Sequence, residues 1–131
     1  VDISADAIDL AARRYPELTW VVANADRSLP YPDASFDLVT SITARRNAPE
    51  FARVLRGSGK LFIAVPAADD LAELRAAVQG ESGERSRLET VARELTDFFE
   101  LDASEVIRER RELEHDALVD LLHATYRGLR H

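Results

Sequence analysis

The sequence predicts an α/β domain, a mostly parallel sheet with helices on both faces, and three observations carry that prediction. Compact apolar runs of the kind buried in parallel sheets, such as Trp20-Val21-Val22-Ala23, occur along the chain. They alternate with stripes of apolar residues at helical spacing, the pattern of strands whose crossovers are helices. With 131 residues, 46% of them hydrophobic, the chain can bury one core and falls short of a second domain.

Val1-Asp2-Ile3 is short and β-prone. Ser4 then has the side chain to cap a helix in which Ile8, Ala11, Ala12 and Tyr15 recur at helical spacing, and Pro16 stops it. Residues 24–35 carry loop chemistry with two prolines, Phe36–Ile42 reads as the next strand, and Pro49 opens a short helix with Phe51, Val54 and Leu55 on one face. Gly57-Ser58-Gly59 is expected to turn into a strand over residues 60–65, ended by Pro66. Asp69 or Asp70 is placed to cap a helix lined by Leu71, Leu74 and Val78, and residues 80–83 are the most linker-like stretch. Leu88, Val91, Ala92 and Leu95 form another helical stripe, residues 98–107 are expected as a strand, and residues 115–126 as a last helix. No internal repeat interrupts this order.

Composition removes several function classes. Without cysteine there is no disulfide, thiolate nucleophile or cysteine-ligated metal in these residues. The chain has neither a spanning run of about 18 apolar residues nor the order of a secretory signal, so a cytoplasmic protein without a membrane partner is expected. The formal charge is −7 and the pI about 5.0, whereas affinity for nucleic acid comes mainly from cations neutralising phosphates. These residues alone should bind RNA poorly. The chain has no Met and begins Val-Asp-Ile-Ser, which reads like the end of a strand and suggests a piece of a longer protein.

Four features in fixed order then carry a resemblance. Asp2 ends a strand just before a helix; Leu29-Pro30-Tyr31-Pro32-Asp33 precedes Ser35-Phe36-Asp37-Leu38-Val39; Glu50 to Leu55 reads Glu-Phe-Ala-Arg-Val-Leu; and Gly57-Ser58-Gly59-Lys60-Leu61 leads to a strand. Together they resemble the class I S-adenosylmethionine-dependent methyltransferase core from its second strand to its fifth. A finer likeness is to the ribosomal RNA guanine-N1 methyltransferases, a family with macrolide-resistance members. It rests on Ala11-Ala12-Arg13-Arg14-Tyr15-Pro16, on Asn47 to Leu55, on Asp70 to Leu74 and on the tail from His115 to Arg127. The resemblance implies a Rossmann-like fold truncated at its N-terminus, with residues 1–131 a partial methyltransferase domain. In that family a small zinc-binding RNA-recognition domain and a glycine-rich first strand and loop precede this region, so ribosomal RNA is expected as a partner through that upstream domain. The family's first strand lies between the second and the fourth, and leaving its place open implies that the edge is repaired by rearranged strands, by a further segment or, the favoured reading, by self-association such as a homodimer.

The resemblance also implies a site. Ligands of open α/β sheets lie beyond the carboxyl ends of the strands, and an acidic residue closing the second strand accepts hydrogen bonds from ribose hydroxyls. Asp2 fits that place, with helix capping as its alternative role; Ile3 would pack on the adenine. Asn24, Ala25 and Asp26 would lie at the adenine edge. Many relatives carry an aspartate at the position of Ala25, so Asp26 is either its substitute or a loop residue. Ser41 and Ile42 end the fourth strand beside the methyl group. Thr43 and Arg45 depart from the aromatic residue and proline of many relatives, and Arg45 and Arg46 either meet RNA phosphate or are simply solvated.

Methyl transfer from a sulfonium depends mainly on placing donor and acceptor in line, because the leaving thioether is neutral. Guanine N1 must lose a proton, but no base is identified; His115 and His123 are candidates by residue type alone. Gly57-Ser58-Gly59-Lys60 is not a phosphate loop, since Val54 and Leu61 stand where that motif needs a glycine and a hydroxyl residue. No metal site is expected, and the charged run from Glu105 to Glu114 reads as a solvated face. The function expected is transfer of a methyl group to N1 of a guanine in 23S ribosomal RNA. A small-molecule methyltransferase of the same fold and a non-catalytic remnant acting in assembly are the alternatives. Without the glycine loop, the chain alone is expected to hold the cofactor weakly.

Overall fold

The computed structural model describes residues 1–79 and 87–124, which form five helices and one two-stranded parallel sheet. Helix α1 (Ala5–Arg14) begins where Ser4 predicts: the serine is extended, and its hydroxyl accepts the Ala7 N–H at 3.2 Å. Strand β1 (Phe36–Ile42) has the predicted bounds. Helix α2 (Ala48–Val54) carries Pro49 in its first turn, where a missing N–H costs nothing.

Strand β2 (Leu55–Ala64) follows α2 without a break, so the expected turn at Gly57-Ser58-Gly59 is absorbed into the strand. Its register against β1 shows how. Phe36 aligns with Leu55 but Leu38 with Lys60, and pairing is then regular to Ile42 and Ala64. The extra residues bulge, and Gly59 lies where they cross back towards β1. A Cβ there would stand 2.8 Å from Leu55 Cδ2 and 3.2 Å from the Asp37 carbonyl oxygen, so only glycine fits without a shift.

Helix α3 (Ala72–Gln79) starts later than expected. Leu71 precedes it at a φ of 50°, and Asp69 and Asp70 fall in the turn ahead rather than at the cap. Asp69 instead pairs with Arg108 at 2.7 Å. Helix α4 (Arg87–Leu95) follows the predicted stripe, with Val91 and Leu95 buried and Leu88 exposed. Helix α5 (His115–Ala124) has the predicted start. The linker-like residues 80–83 and the last residues of the expected final helix lie outside the described residues.

Three expected strands do not form as drawn, Val1-Asp2-Ile3 among them. Trp20-Val21-Val22-Ala23 contributes one isolated parallel bridge, Asp2 with Val22, and Val22 remains 52% exposed. Residues 99–114 carry no strand. Apolar character alone does not make a strand, which needs a neighbour's backbone for its donors and acceptors. The latter segment is held through side chains instead: Lys60 to Asp102 at 2.9 Å, Arg108 to Asp69, and Arg110 to Glu73 at 3.2 Å.

The core lies on one side of the sheet. Leu29, Phe51 and the fully enclosed Val54 pack with Phe36, Val39 and Leu61. Beside them Ala48, Val91 and Leu95 meet Leu61, Ile63 and Val65, so α2 and α4 cover this face. Leu38, Ile42 and Phe62, by strand alternation on the other face, are 55%, 62% and 55% exposed. Among the described residues β1 has a strand partner on one edge only.

Candidate functional site

The backbone brings the first two parts of the expected site together. The Asp2 N–H donates to the Val21 carbonyl at 3.2 Å, and the Asp2 carbonyl accepts the Ala23 N–H at 3.0 Å. Because the two segments run parallel, Asp2-Ile3 and Asn24-Ala25-Asp26 emerge at the same end. Asp2 Oδ1 accepts the Ser4 N–H at 2.8 Å, bracing the residue that caps α1 without capping it. Its other carboxylate oxygen has no protein partner among the described residues. Beside it Ile3 is 69% exposed, an apolar side chain open at the end of a bridge.

The next loop folds on itself. Asn24 Oδ1 accepts the Asp26 N–H at 3.0 Å, and the Asn24 carbonyl accepts the N–H groups of Arg27 and Ser28. This is the side-chain-to-backbone turn that asparagine makes readily. The Ala25 N–H is left without a hydrogen bond among the described residues.

Beyond β1 the chain turns sharply. Thr43 takes a φ of 50°, a conformation that β-branched residues rarely adopt, and its N–H is held by the Ala64 carbonyl at 2.9 Å. The turn sends residues 45–47 back to the Asn24 loop. There Asn47 Nδ2 donates to the carbonyls of both Ala25 (3.2 Å) and Asp26 (3.0 Å), while Arg45 pairs with Asp26 at 3.3 Å. Arg46 meets Glu94 of α4 at 2.7 Å. Between these ties lies an open cleft of about 500 Å³, walled by Asp26, Arg45, Pro49 and Phe98.

Of the remaining expected residues, Ser41 is 6% exposed, on the helix-covered side with Val39, and its hydroxyl has no hydrogen bond among the described residues. Ile42 is exposed at the end of the bare face. Neither is bonded to the Asp2 or Asn24 segments. His115 and His123 both lie on α5, and neither lines the cleft. Among the described residues no group of three His, Asp or Glu side chains could hold a metal ion, and no helix is long and apolar enough to cross a membrane.

The Leu29 to Asp33 and Glu50 to Leu55 motifs prove to be one structural clasp. Glu50 Oε2 accepts the Leu29 N–H at 2.7 Å; Arg53 donates to both Glu50 oxygens, to the Leu29 and Tyr31 carbonyls, and to Asp33. The Ala34 and Ser35 N–H groups satisfy the carbonyls of Arg53 and Val54 at the end of α2. The Arg53 guanidinium, and next the Leu29 N–H, hold the Glu50 carboxyl down at about 2 instead of 4.5. A depressed folded-state pKa makes the clasp's contribution fully present above the unfolded value and lost as pH falls through the folded one. Urea midpoints should therefore fall as pH drops from 4.5 towards about 2, and Glu50→Gln should flatten that part of the profile while lowering stability at neutral pH. A profile unchanged by Glu50→Gln would contradict the clasp.

This geometry, with an open carboxylate and a free N–H at the end of parallel segments, meets an independent finding: a family profile described as a methyltransferase domain matches residues 1–63. The chain is 36% identical over 119 residues to the 23S rRNA (guanine(748)-N(1))-methyltransferase of Streptomyces fradiae, covering 90% of this chain and 42% of that protein. Over these residues the chain is similar to the class I S-adenosylmethionine-dependent methyltransferases. Two putative 23S rRNA (guanine-N(1)-)-methyltransferases place it close to that branch. The one from Bacillus subtilis is 38% identical over 70% of this chain and 32% of its own length. The one from Micromonospora griseorubida is 32% identical over 93% of this chain and 41% of its own. The chain thus spans about two fifths of the first of these relatives. Among solved structures there is no significant match.

The family's S-adenosylmethionine fits the residues present in its adenosine half. Asp2 has an unengaged carboxylate oxygen for a ribose hydroxyl, Ile3 an open apolar surface, and Ala25 an unused N–H donor. Asp26 is less available than its residue type suggests, because Arg45 lies against it. Sequence reasoning missed Asn47 as a tie to Ala25 and Asp26. Asn before Ala-Pro signals a helix cap, but not the other contacts of its amide.

Proposed function

We propose that the protein transfers a methyl group from S-adenosylmethionine to N1 of a guanine in 23S ribosomal RNA. The convergence of Asp2 and Asn24 to Asp26 at one end of parallel segments carries the donor half of this reading. The activities for which the relatives are named support the acceptor half. Bound S-adenosylmethionine supplies an electrophilic methyl whose departing thioether is neutral. The chain's own task is placement: Asp2 holds ribose, Ile3 and the Ala25 N–H orient the adenine, and the turn at Thr43 brings the residues after β1 beside them. Ser41 and Ile42, at the end of β1, are assigned in this reading to the methyl end of the cofactor. With a formal charge of −7, RNA affinity must come from local cations such as Arg45 or from an upstream RNA-recognition domain. Self-association through the one-sided edge of β1 and its bare apolar face belongs to the same proposal.

Incubation of the protein with methyl-labelled cofactor and unmodified 23S ribosomal RNA tests it. The label should enter RNA, and reverse transcription should stop at a guanine, since N1 methylation blocks base pairing. Label found only in a small-molecule fraction would overturn the RNA reading, and no transfer at all would favour a non-catalytic role.

A further inference from the structure

The side chain of Asn47 does two separable things. Its Oδ1 receives the Glu50 N–H at 3.4 Å, at the start of α2. Its Nδ2 spends both hydrogens on another part of the chain, the carbonyls of Ala25 and Asp26. A helix cap needs only the acceptor. The two donor bonds fix consecutive peptide units, 25–26 and 26–27. The Asn24 carbonyl, bonded to Arg27 and Ser28, fixes the unit before them. With those carbonyls turned inward, the Ala25 N–H remains as an unused donor of the loop.

We propose that Asn47 is a positioning residue for the cofactor: its amide holds the Asn24 to Asp26 loop so that the Ala25 N–H is presented to the adenine. This rests on the cofactor site argued above and adds a residue from the other side of that site, on the segment that follows β1. It also links the two halves mechanically. The acceptor-side turn at Thr43 and the donor-side loop cannot move apart without breaking the Asn47 bonds and the Arg45 to Asp26 pair.

Two substitutions separate the cap from the tie. Asn47→Asp keeps an acceptor for the Glu50 N–H, and its charge suits a helix start, but it loses both donors and sets a carboxylate against two carbonyls. Asn47→Ser keeps a capping hydroxyl on a side chain too short to bridge. Amide NMR titration with 5′-methylthioadenosine, the adenosine half of the cofactor, reads even millimolar binding. Both variants should keep the α2 resonances and an unfolding temperature close to that of the unsubstituted protein, yet bind about ten-fold more weakly, as expected for losing two hydrogen bonds that pre-form the loop. Unchanged affinity in both variants would show that Asn47 is a helix cap and no more, and overturn the inference alone. No perturbation of residues 2–3 and 24–26 in the unsubstituted protein would overturn the cofactor site itself, and this inference with it.

Discussion

Asp2→Ala is expected to raise the dissociation constant for S-adenosylhomocysteine about ten-fold or more, the consequence of removing charge-assisted hydrogen bonds worth on the order of 1.5–3 kcal/mol. Asp2 also braces the Ser4 N–H at 2.8 Å, so a loss of affinity could arise from a disturbed α1. Asp2→Asn separates the two effects. It retains an oxygen for Ser4 but replaces the carboxylate with a neutral amide. It should bind nearly as weakly as the alanine variant while α1 stays intact by circular dichroism. An Asp2→Asn protein with undiminished affinity would assign Asp2 to the local turn alone.

The largest effect on folding is expected at Phe51, 5% exposed and packed with Leu29 and Val54. Phe51→Ala removes a buried aromatic ring and leaves a cavity, at a cost of about 3–5 kcal/mol. With one sheet among the described residues and its core on one side, the protein has little else to compensate. Urea unfolding should show a strongly lowered midpoint. A change below about 1 kcal/mol would mean that the site collapses freely and that the core is looser than its burial indicates.

Local chemistry made parts of the fold legible. Ser4 and Pro49 act within one turn of where they stand, and the starts of α1 and α2 follow from them. Phe36–Ile42 was readable because α2 and the Leu29 loop cover it. Residues 98–107 misled because their apolar residues say nothing about whether a neighbouring strand is there to pair with, and Leu101 and Ile107 stand 63% and 83% exposed. The glycine turn misled for a similar reason. Gly59 marks a close approach to Asp37, a tertiary fact that local turn chemistry does not contain.

The meeting of two of the singled-out segments was legible in outline. Resemblance to the methyltransferase core singled out Asp2 and Asn24 to Asp26, and the structure brings those segments together. It did not reveal that Arg45 occupies the Asp26 carboxylate, nor that the family-marking Glu50 and Arg53 act as a clasp on the Leu29 to Asp33 loop. Those contacts span about twenty residues of sequence, and no spacing rule encodes them.

A crystal structure of the protein with S-adenosylhomocysteine would test the central claim most directly. The account predicts adenosine beyond the ends of the Asp2 and Val22 segments, with a ribose hydroxyl on the free Asp2 oxygen, the base beside Ile3 and the Ala25 N–H donating to its edge. Adenosine seated instead in the Phe98 cleft, or against the bare face of Leu38 and Phe62, would contradict it.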